Sequence, residues 1–559
     1  VFHAGHRPAA WTDPMAPLVR AVFLLVAWPS SAASEPASEG SREAAAPTVH
    51  APGLGLVTGF RHHGTGVRVF AGLRYAAAPT GDLRWRPPQP AAPEPSGRVD
   101  AAAFGPACPQ ASGGGVLGSE DCLTLNVYAP PGDAQRRPVL VWVHGGSYIK
   151  GTADIGLNGT WGPLYDGTNL AARGAVVVTV QYRLGVLGFL GSKALNERDS
   201  KASSGNYGLL DQRMALRWVK EHINAFGGDP ERVLLFGQSA GAGSVEFHLV
   251  SKGSRGLFAA AALQSGADAY WNAQSWPSAE SGFGSLLKKT DCAEVACLLR
   301  LPVDTLLKAS GDLFFAATVD GMELQDYPWR LMQKGHVQQV PVIVGFTRDE
   351  AAGGSRKLNM TEAEFDAVLE SQKVPHGMRP RVKAEYTALY TQWYWAAQHF
   401  EADYSVACPA RRFARAAAAA GLPVFAYKFS RLPSFPVSLM YGAGCTASTP
   451  QSAWGAYHGA ELPFVFADLE VPVWKVRLSD SERQLARAVS GKWLAMASTG
   501  RPSPAWPAYL GADGRRQWAL LDSLVQVAVP EEHLFPNCDI VDRLGSLEDE
   551  SSGASPLVV

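Results

Sequence analysis

Ser239 stands at the centre of Gly237-Gln238-Ser239-Ala240-Gly241, a spacing that suits a hydroxyl nucleophile. The two flanking glycines permit a sharp strand-to-helix turn in which the serine sits in strained geometry, and Ala240 lets the following helix pack close to the strand. The serine oxygen would then lie at the carboxyl end of a sheet, with a helix N-terminus facing any negative charge that develops there. A serine that only capped a helix would explain Ser239 but not both glycines.

A free hydroxyl is a poor nucleophile near neutral pH, so it needs a base, and the base needs an orienting acid. Two loops could supply them. The apolar run Val340 to Val344 leads into Thr347-Arg348-Asp349-Glu350, and a second run, Pro423 to Lys428, precedes the loop that carries Tyr457-His458-Gly459. Singly, an Asp-Glu pair in a loop is most often solvated, and one of 13 histidines is most often a surface group. Their joint placement after strands, in the order serine, acid, histidine, is what points to chemistry. At this level either Asp349 or Glu350 could be the acid. His144-Gly145-Gly146-Ser147-Tyr148 follows another apolar run. Glycine there lets the backbone approach a bound ester and aim amides at its oxyanion, with the Ala240 N–H as a further donor. A turn that merely ends the strand is the plainer alternative.

These residues must be positioned by a sheet. Pro138 to Val143, Ala175 to Val180, Arg232 to Phe236 and the two runs named above are apolar and rich in β-branched residues, with helical stretches between them. That alternation predicts an α/β fold with a large, mostly parallel central sheet covered by helices on both faces. Leu210 to Phe226 has apolar residues at helical spacing and meets a stop at Gly227-Gly228; a second helix is predicted just after Ser239.

The chain has 559 residues, 47% of them hydrophobic and 18% charged, without a Pro/Ser/Gly-rich linker in its middle. One large catalytic domain over 49–545 is therefore expected. With 50 Lys+Arg against 51 Asp+Glu, nothing electrostatic points to nucleic acid or an anionic membrane as partner. Met15, Arg20, the apolar run Ala21 to Trp28 and the small residues Ser30 to Ala33 follow the order of a secretory signal over 15–33, with the run too short to span a bilayer. Residues 1–14 are read as upstream gene-model sequence, 34–48 as a flexible arm and 546–559 as a flexible tail. Secretion would give meaning to the sequons at Asn158 and Asn359 and to seven cysteines.

At these residues the chain resembles the cholinesterase and type-B carboxylesterase family, whose fold is the α/β-hydrolase fold. The likeness runs through nearly all of 55–545. Besides the serine motif it includes Phe70 to Tyr75 (FAGLRY), Ser119 to Asn126 (SEDCLTLN), Gln181 to Gly185 (QYRLG) and Gly205 to Arg213 (GNYGLLDQR). Phe226 to Pro230 (FGGDP), Leu263 to Gly266 (LQSG) and His458 to Phe464 (HGAELPF) complete it.

The resemblance implies a triad of Ser239, Glu350 and His458, favouring Glu350 over its neighbour, and an oxyanion hole of Gly146, Ser147 and Ala240. Ser147 departs from the glycine or alanine common there, keeping the amide and adding a side chain. Arg84 with Glu120 and Arg183 with Asp211 look like the family's buried ion pairs, and Ser265 matches a buried serine near the acid. Cys108 with Cys122, and Cys292 with Cys297, match the first two disulfides. Cys408 with Cys538 looks like the third, with Cys445 the alternative partner. The implied activity is hydrolysis of small carboxylic esters without a cofactor or metal, by a secreted monomer or homo-oligomer. The Cys108 to Cys122 loop lacks the tryptophan that holds choline in cholinesterases, and it is shorter than the apolar flap of the family's lipases. A general esterase is expected. The rival from another class is a non-catalytic adhesion or binding protein of the same fold, whose branch the His144 to Tyr148 stretch also resembles.

Overall fold

The computed structural model describes residues 45–551, except 113–114, 133–135, 154–164, 354–356, 438–449, 451–452, 467–469, 472–475 and 525–526. The expected segments 1–14 and 15–33, the arm to residue 44, Asn158 and Cys445 lie outside the described residues.

Eleven strands form the central sheet: β1 (Phe60–Arg61), β2 (Arg68–Arg74), β3 (Thr124–Ala129), β4 (Arg137–Val143), β5 (Val176–Val180), β6 (Gly228–Gln238), β7 (Ala260–Gln264), β8 (Val342–Thr347), β9 (Val424–Phe429), β10 (Gln517–Leu521) and β11 (Val527–Pro530). Their order across the sheet is β11-β10-β9-β8-β7-β6-β4-β5-β3-β2-β1. From β10 to β5 all neighbours are parallel, and antiparallel strands close both edges. The strands predicted from apolar runs are β4, β5, β6, β8 and β9. β6 reaches back to Gly228, with an irregularity between Gly228 and Val233.

Alternation along the strands explains why the runs are apolar throughout. Val139, Val141 and Val143 of β4 join one core cluster, while Leu140 and Trp142 join the other. On β5, Val176, Val178 and Val180 face the first cluster and Val177 the second. Burying each such side chain contributes about 1.5–3 kcal/mol, so neither face tolerates a polar register.

Helices cover both faces. α1 (Tyr207–His222) and α2 (Ala240–Val250) pack on the first, together with α3 (Cys408–Ala419). The buried stripe Leu485, Val489, Trp493 and Met496 of α5 (Asp480–Thr499) covers the second, beside the short α4 (Leu462–Val465). α1 begins three residues before the predicted Leu210; its continuation, Ile223–Phe226, is a 3₁₀ turn that ends on Gly227 at φ 91°. A last helix, α6 (Cys538–Ser551), runs six residues into the segment read as a tail.

Three disulfides join Cys108 to Cys122, Cys292 to Cys297 and Cys408 to Cys538. The last ties the start of α6 to the start of α3. Two ion pairs, the first buried and the second part-buried, brace the core. Arg183 meets Asp211 through Nε at 2.8 Å and Nη2 at 2.7 Å, and Arg84 meets Glu120 through Nε at 2.8 Å and Nη2 at 2.7 Å. Both are two-pronged, the geometry in which a guanidinium best matches a carboxylate.

Candidate active site

Ser239 closes β6 and opens α2 at φ 57°, ψ −127°. That conformation is strained for a side-chain-bearing residue, and the surroundings enforce it. Its N–H donates to the Gln264 carbonyl on β7 at 2.8 Å. A Cβ on Gly241 would stand 2.1 Å from the Val143 carbonyl oxygen, and one on Gly237 would stand 2.5 Å from Gly241. Only glycine lets β6, β4 and α2 meet this closely. The Ser239 side chain makes no capping hydrogen bond to α2, so an ordinary helix cap does not account for it.

The loop after β4 approaches the same turn. Gly146, Ser147 and Tyr148 all have positive φ, at 114°, 55° and 59°. The loop is held by Ile149 and Lys150 N–H groups donating to the Gly146 carbonyl, both at 3.0 Å, and by Gly185 N–H donating to Tyr148 O at 2.7 Å. A Cβ on Gly146 would collide with the Lys150 carbonyl at 2.1 Å. The N–H groups of Gly146, Ser147 and Ala240 donate to no acceptor among the described residues. The Ser147 side chain is exposed.

His144 is part of the frame. Its ring is fully buried, stacks on Tyr182 with centroids 4.4 Å apart, and places Nδ1 2.9 Å from the Gly145 carbonyl. Burial pushes its pKa down to about 4, against that hydrogen bond. It therefore stays neutral. Gln110, inside the Cys108–Cys122 hairpin, binds Gly151 from both sides: Nε2 donates to its carbonyl at 2.8 Å and Oε1 accepts its N–H at 2.9 Å. The disulfide loop thus braces the loop after β4.

Glu350 and His458 come from loops 108 residues apart and meet at 2.5 Å, Glu350 Oε2 to His458 Nδ1. The other carboxylate oxygen of Glu350 accepts the Thr347 N–H at 2.6 Å. Burial lowers the imidazole's proton affinity, but the charge and hydrogen bond of Glu350, with a smaller pull from Glu461, outweigh it and raise the pKa. Asp349, the alternative acid, points elsewhere: its Oδ2 accepts the Ala456 N–H at 2.7 Å and Arg348 Nε and Nη2 at 2.9 and 2.7 Å.

Two residues near the histidine escaped the sequence reading. Gln238 Nε2 lies 2.9 Å from His458 Nε2. Glu461, 1% exposed, accepts Gln264 Nε2 at 3.0 Å through Oε1, while Oε2 has no hydrogen-bond partner among the described residues. Burial and the charge of Glu350 push its pKa up to about 7 against the Gln264 bond. Gln238 was visible only as the variable position of the serine motif, and Glu461 only within HGAELPF. Ser265 is buried at φ 54°, and its Oγ has no hydrogen-bond partner among the described residues.

Residues 45–529 match the carboxylesterase family. The chain belongs to that family. It is 34% identical over 506 residues to the para-nitrobenzyl esterase of Bacillus subtilis (strain 168), covering 84% of this chain and 96% of the relative. It is 31% identical over 543 residues to the acetylcholinesterase of Bungarus fasciatus, covering 87% and 84%. The solved structure titled PNB esterase superposes with a TM-score of 0.71 at 31% identity, over 89% of this chain and all of that one. This carboxylesterase therefore has the α/β-hydrolase fold and is a serine carboxylic ester hydrolase.

Proposed function

We propose that this carboxylesterase hydrolyses small carboxylic esters through a Ser239, Glu350, His458 triad and an acyl-enzyme intermediate. The observation that carries the reading is the convergence of three features: the strained serine turn, the Glu350–His458 pair, and three backbone N–H groups without an acceptor. His458, with Nδ1–H held by Glu350, takes the serine proton as Oγ attacks the ester carbonyl. Gly146, Ser147 and Ala240 donate to the oxyanion; the rigid loop keeps those dipoles oriented before charge develops. The protonated imidazole then gives its proton to the departing alcohol. Water, deprotonated by His458, releases the acid from Ser239.

Specificity belongs to the same proposal. The Cys108–Cys122 hairpin carries no tryptophan to hold a quaternary ammonium group, which supports a general esterase over a cholinesterase. Disulfides, the leader-like segment 15–33 and an exposed sequon at Asn359 support a secreted glycoprotein. No described helix is long and apolar enough to cross a membrane. The catalytic domain is assigned to 49–545.

The test is a panel of esters graded by acyl and alcohol size, run beside Ser239→Ala. Small aryl and short-chain alkyl esters should outpace choline esters of the same acyl group, and Ser239→Ala should keep its fold and lose turnover. Full turnover by that variant would remove the triad; preference for choline esters would remove the specificity reading. Inactivity on every ester would favour the non-catalytic binding protein.

A further inference from the structure

Neither the attack nor the oxyanion site accounts for Gln238. Its side chain is 5% exposed at the end of β6. One end faces the oxyanion loop, where a Cβ on Gly145 would lie 3.2 Å from Gln238 Oε1. The other end meets the histidine, with Nε2 of Gln238 2.9 Å from Nε2 of His458. Glu350 already holds Nδ1 at 2.5 Å. The imidazole is thereby gripped at both nitrogens, from the turn after β8 on one side and from the end of β6 on the other.

Donor and acceptor roles follow from the chemistry. A buried carboxylate only accepts, so Nδ1 carries the proton and Nε2 offers a lone pair. Only the amide N–H of Gln238 can meet that lone pair, which fixes which way the carboxamide points. Once Nε2 gains a proton, the bond becomes donor against donor and is lost. A hydrogen bond made only to the neutral form of a base favours that form.

We propose that Gln238 is a positioning residue that donates its amide N–H to Nε2 of His458, holding the imidazole as an oriented free base until the Ser239 hydroxyl takes over as donor. The inference rests on the triad reading above. Among the described residues, the ionisable groups that act on His458 are Glu350, from the turn after β8, and Glu461, from the start of α4, and both draw a proton toward the ring. Gln238 opposes them. A glutamate would fill the same space, yet it would accept instead of donate and add a third negative charge.

The experiment is the pH dependence of kcat/KM for p-nitrophenyl acetate, measured on the full chain. It compares wild type with Gln238→Met, similar in length without a donor, and with Gln238→Glu and Ser239→Ala. Circular dichroism reports folding, and Gln238→Leu, a second variant without a donor or a charge, takes the place of Gln238→Met in the comparison should the methionine variant unfold. The acid limb should move upward in both Gln238 variants, by about half a pH unit in Gln238→Met and by about 1–3 units in Gln238→Glu. Acid limbs that stay at the wild-type pH in both variants overturn the proposal, as does a shift in Gln238→Glu with none in a folded Gln238→Met, which would reflect charge alone. Turnover by Ser239→Ala would instead overturn the triad reading itself.

Discussion

The Asp349 carboxylate accepts the backbone N–H of Ala456 at 2.7 Å, two residues before His458, while Glu350 beside it binds the His458 ring. A second bond runs back from Asp349 N–H to the Ala456 carbonyl at 3.0 Å. The loop that carries Glu350 therefore clamps the loop that carries His458. Gly455 makes this possible, since at φ 60° a Cβ there would stand 2.1 Å from Asp349 Oδ2.

From that clamp, Asp349→Ala leaves a buried N–H without its acceptor and Arg348 without its carboxylate. The buried N–H without its acceptor costs about 1–3 kcal/mol, and the lost pair with the part-exposed Arg348 about 0–1 kcal/mol. The variant should lower the urea midpoint and reduce kcat more than it raises KM. Steady-state kinetics with urea denaturation checks this, and wild-type kcat in the folded variant would refute the clamp.

The loop proposed to hold the oxyanion makes a sharper demand on Gly146. An alanine there meets the Lys150 carbonyl and must hold φ 114°, so the loop has to shift and misdirect its amides. A lost oxyanion donor raises the barrier by about 2.7–4 kcal/mol. Gly146→Ala should cut kcat by about 10²–10³-fold on a short-chain aryl ester, a loss that stopped-flow turnover would register.

The ordinary histidine pKa is near 6.5, and the sequence alone suggests activity falling below about that pH. With Glu350 raising the His458 pKa, the acid limb of kcat/KM should lie above that value. Glu350→Gln removes the charge and should move the limb downward while slowing turnover. An upward or absent shift in the pH profile of that variant would contradict the electrostatic account.

Glu461 predicts how stability depends on pH. Its folded pKa of about 7 exceeds the ordinary glutamate value, so the folded chain binds its proton more tightly than the unfolded chain does. That contribution is fully present below about pH 4.3 and is lost as pH rises through 7, by at most about 4 kcal/mol. Glu461→Gln should flatten this part of the curve. Urea midpoints taken at pH 5 and pH 8 would reveal it.

The buried Arg183–Asp211 pair offers a prediction away from the chemistry. Asp211→Asn leaves a guanidinium buried without its counter-charge, which costs about 3–5 kcal/mol. The denaturation midpoint should fall accordingly.

Much of this was legible in the sequence because it is local. β4, β5, β6, β8 and β9 announce themselves as β-branched runs, since a parallel sheet covered on both faces admits apolar side chains on each. The serine turn is legible because both of its glycines sit in one five-residue motif, although the closest contact that demands Gly241 comes from Val143 on β4. What stayed hidden depends on partners brought together by folding. Asp349 and Glu350 are equivalent until Ala456 arrives to claim one and His458 the other. Cys408 had two possible partners until α3 and α6 set it beside Cys538, 130 residues on. Gln238 occupies a position the motif leaves open, and its meaning lies entirely in the distance to His458.

The central claim is that Ser239 carries the acyl group. Diethyl p-nitrophenyl phosphate should phosphorylate the full chain once, releasing one p-nitrophenolate per molecule, and peptide mass spectrometry should place the diethylphosphoryl group on Ser239, with none in Ser239→Ala. A label on another residue, or an unlabelled chain that still hydrolyses esters, would contradict the account.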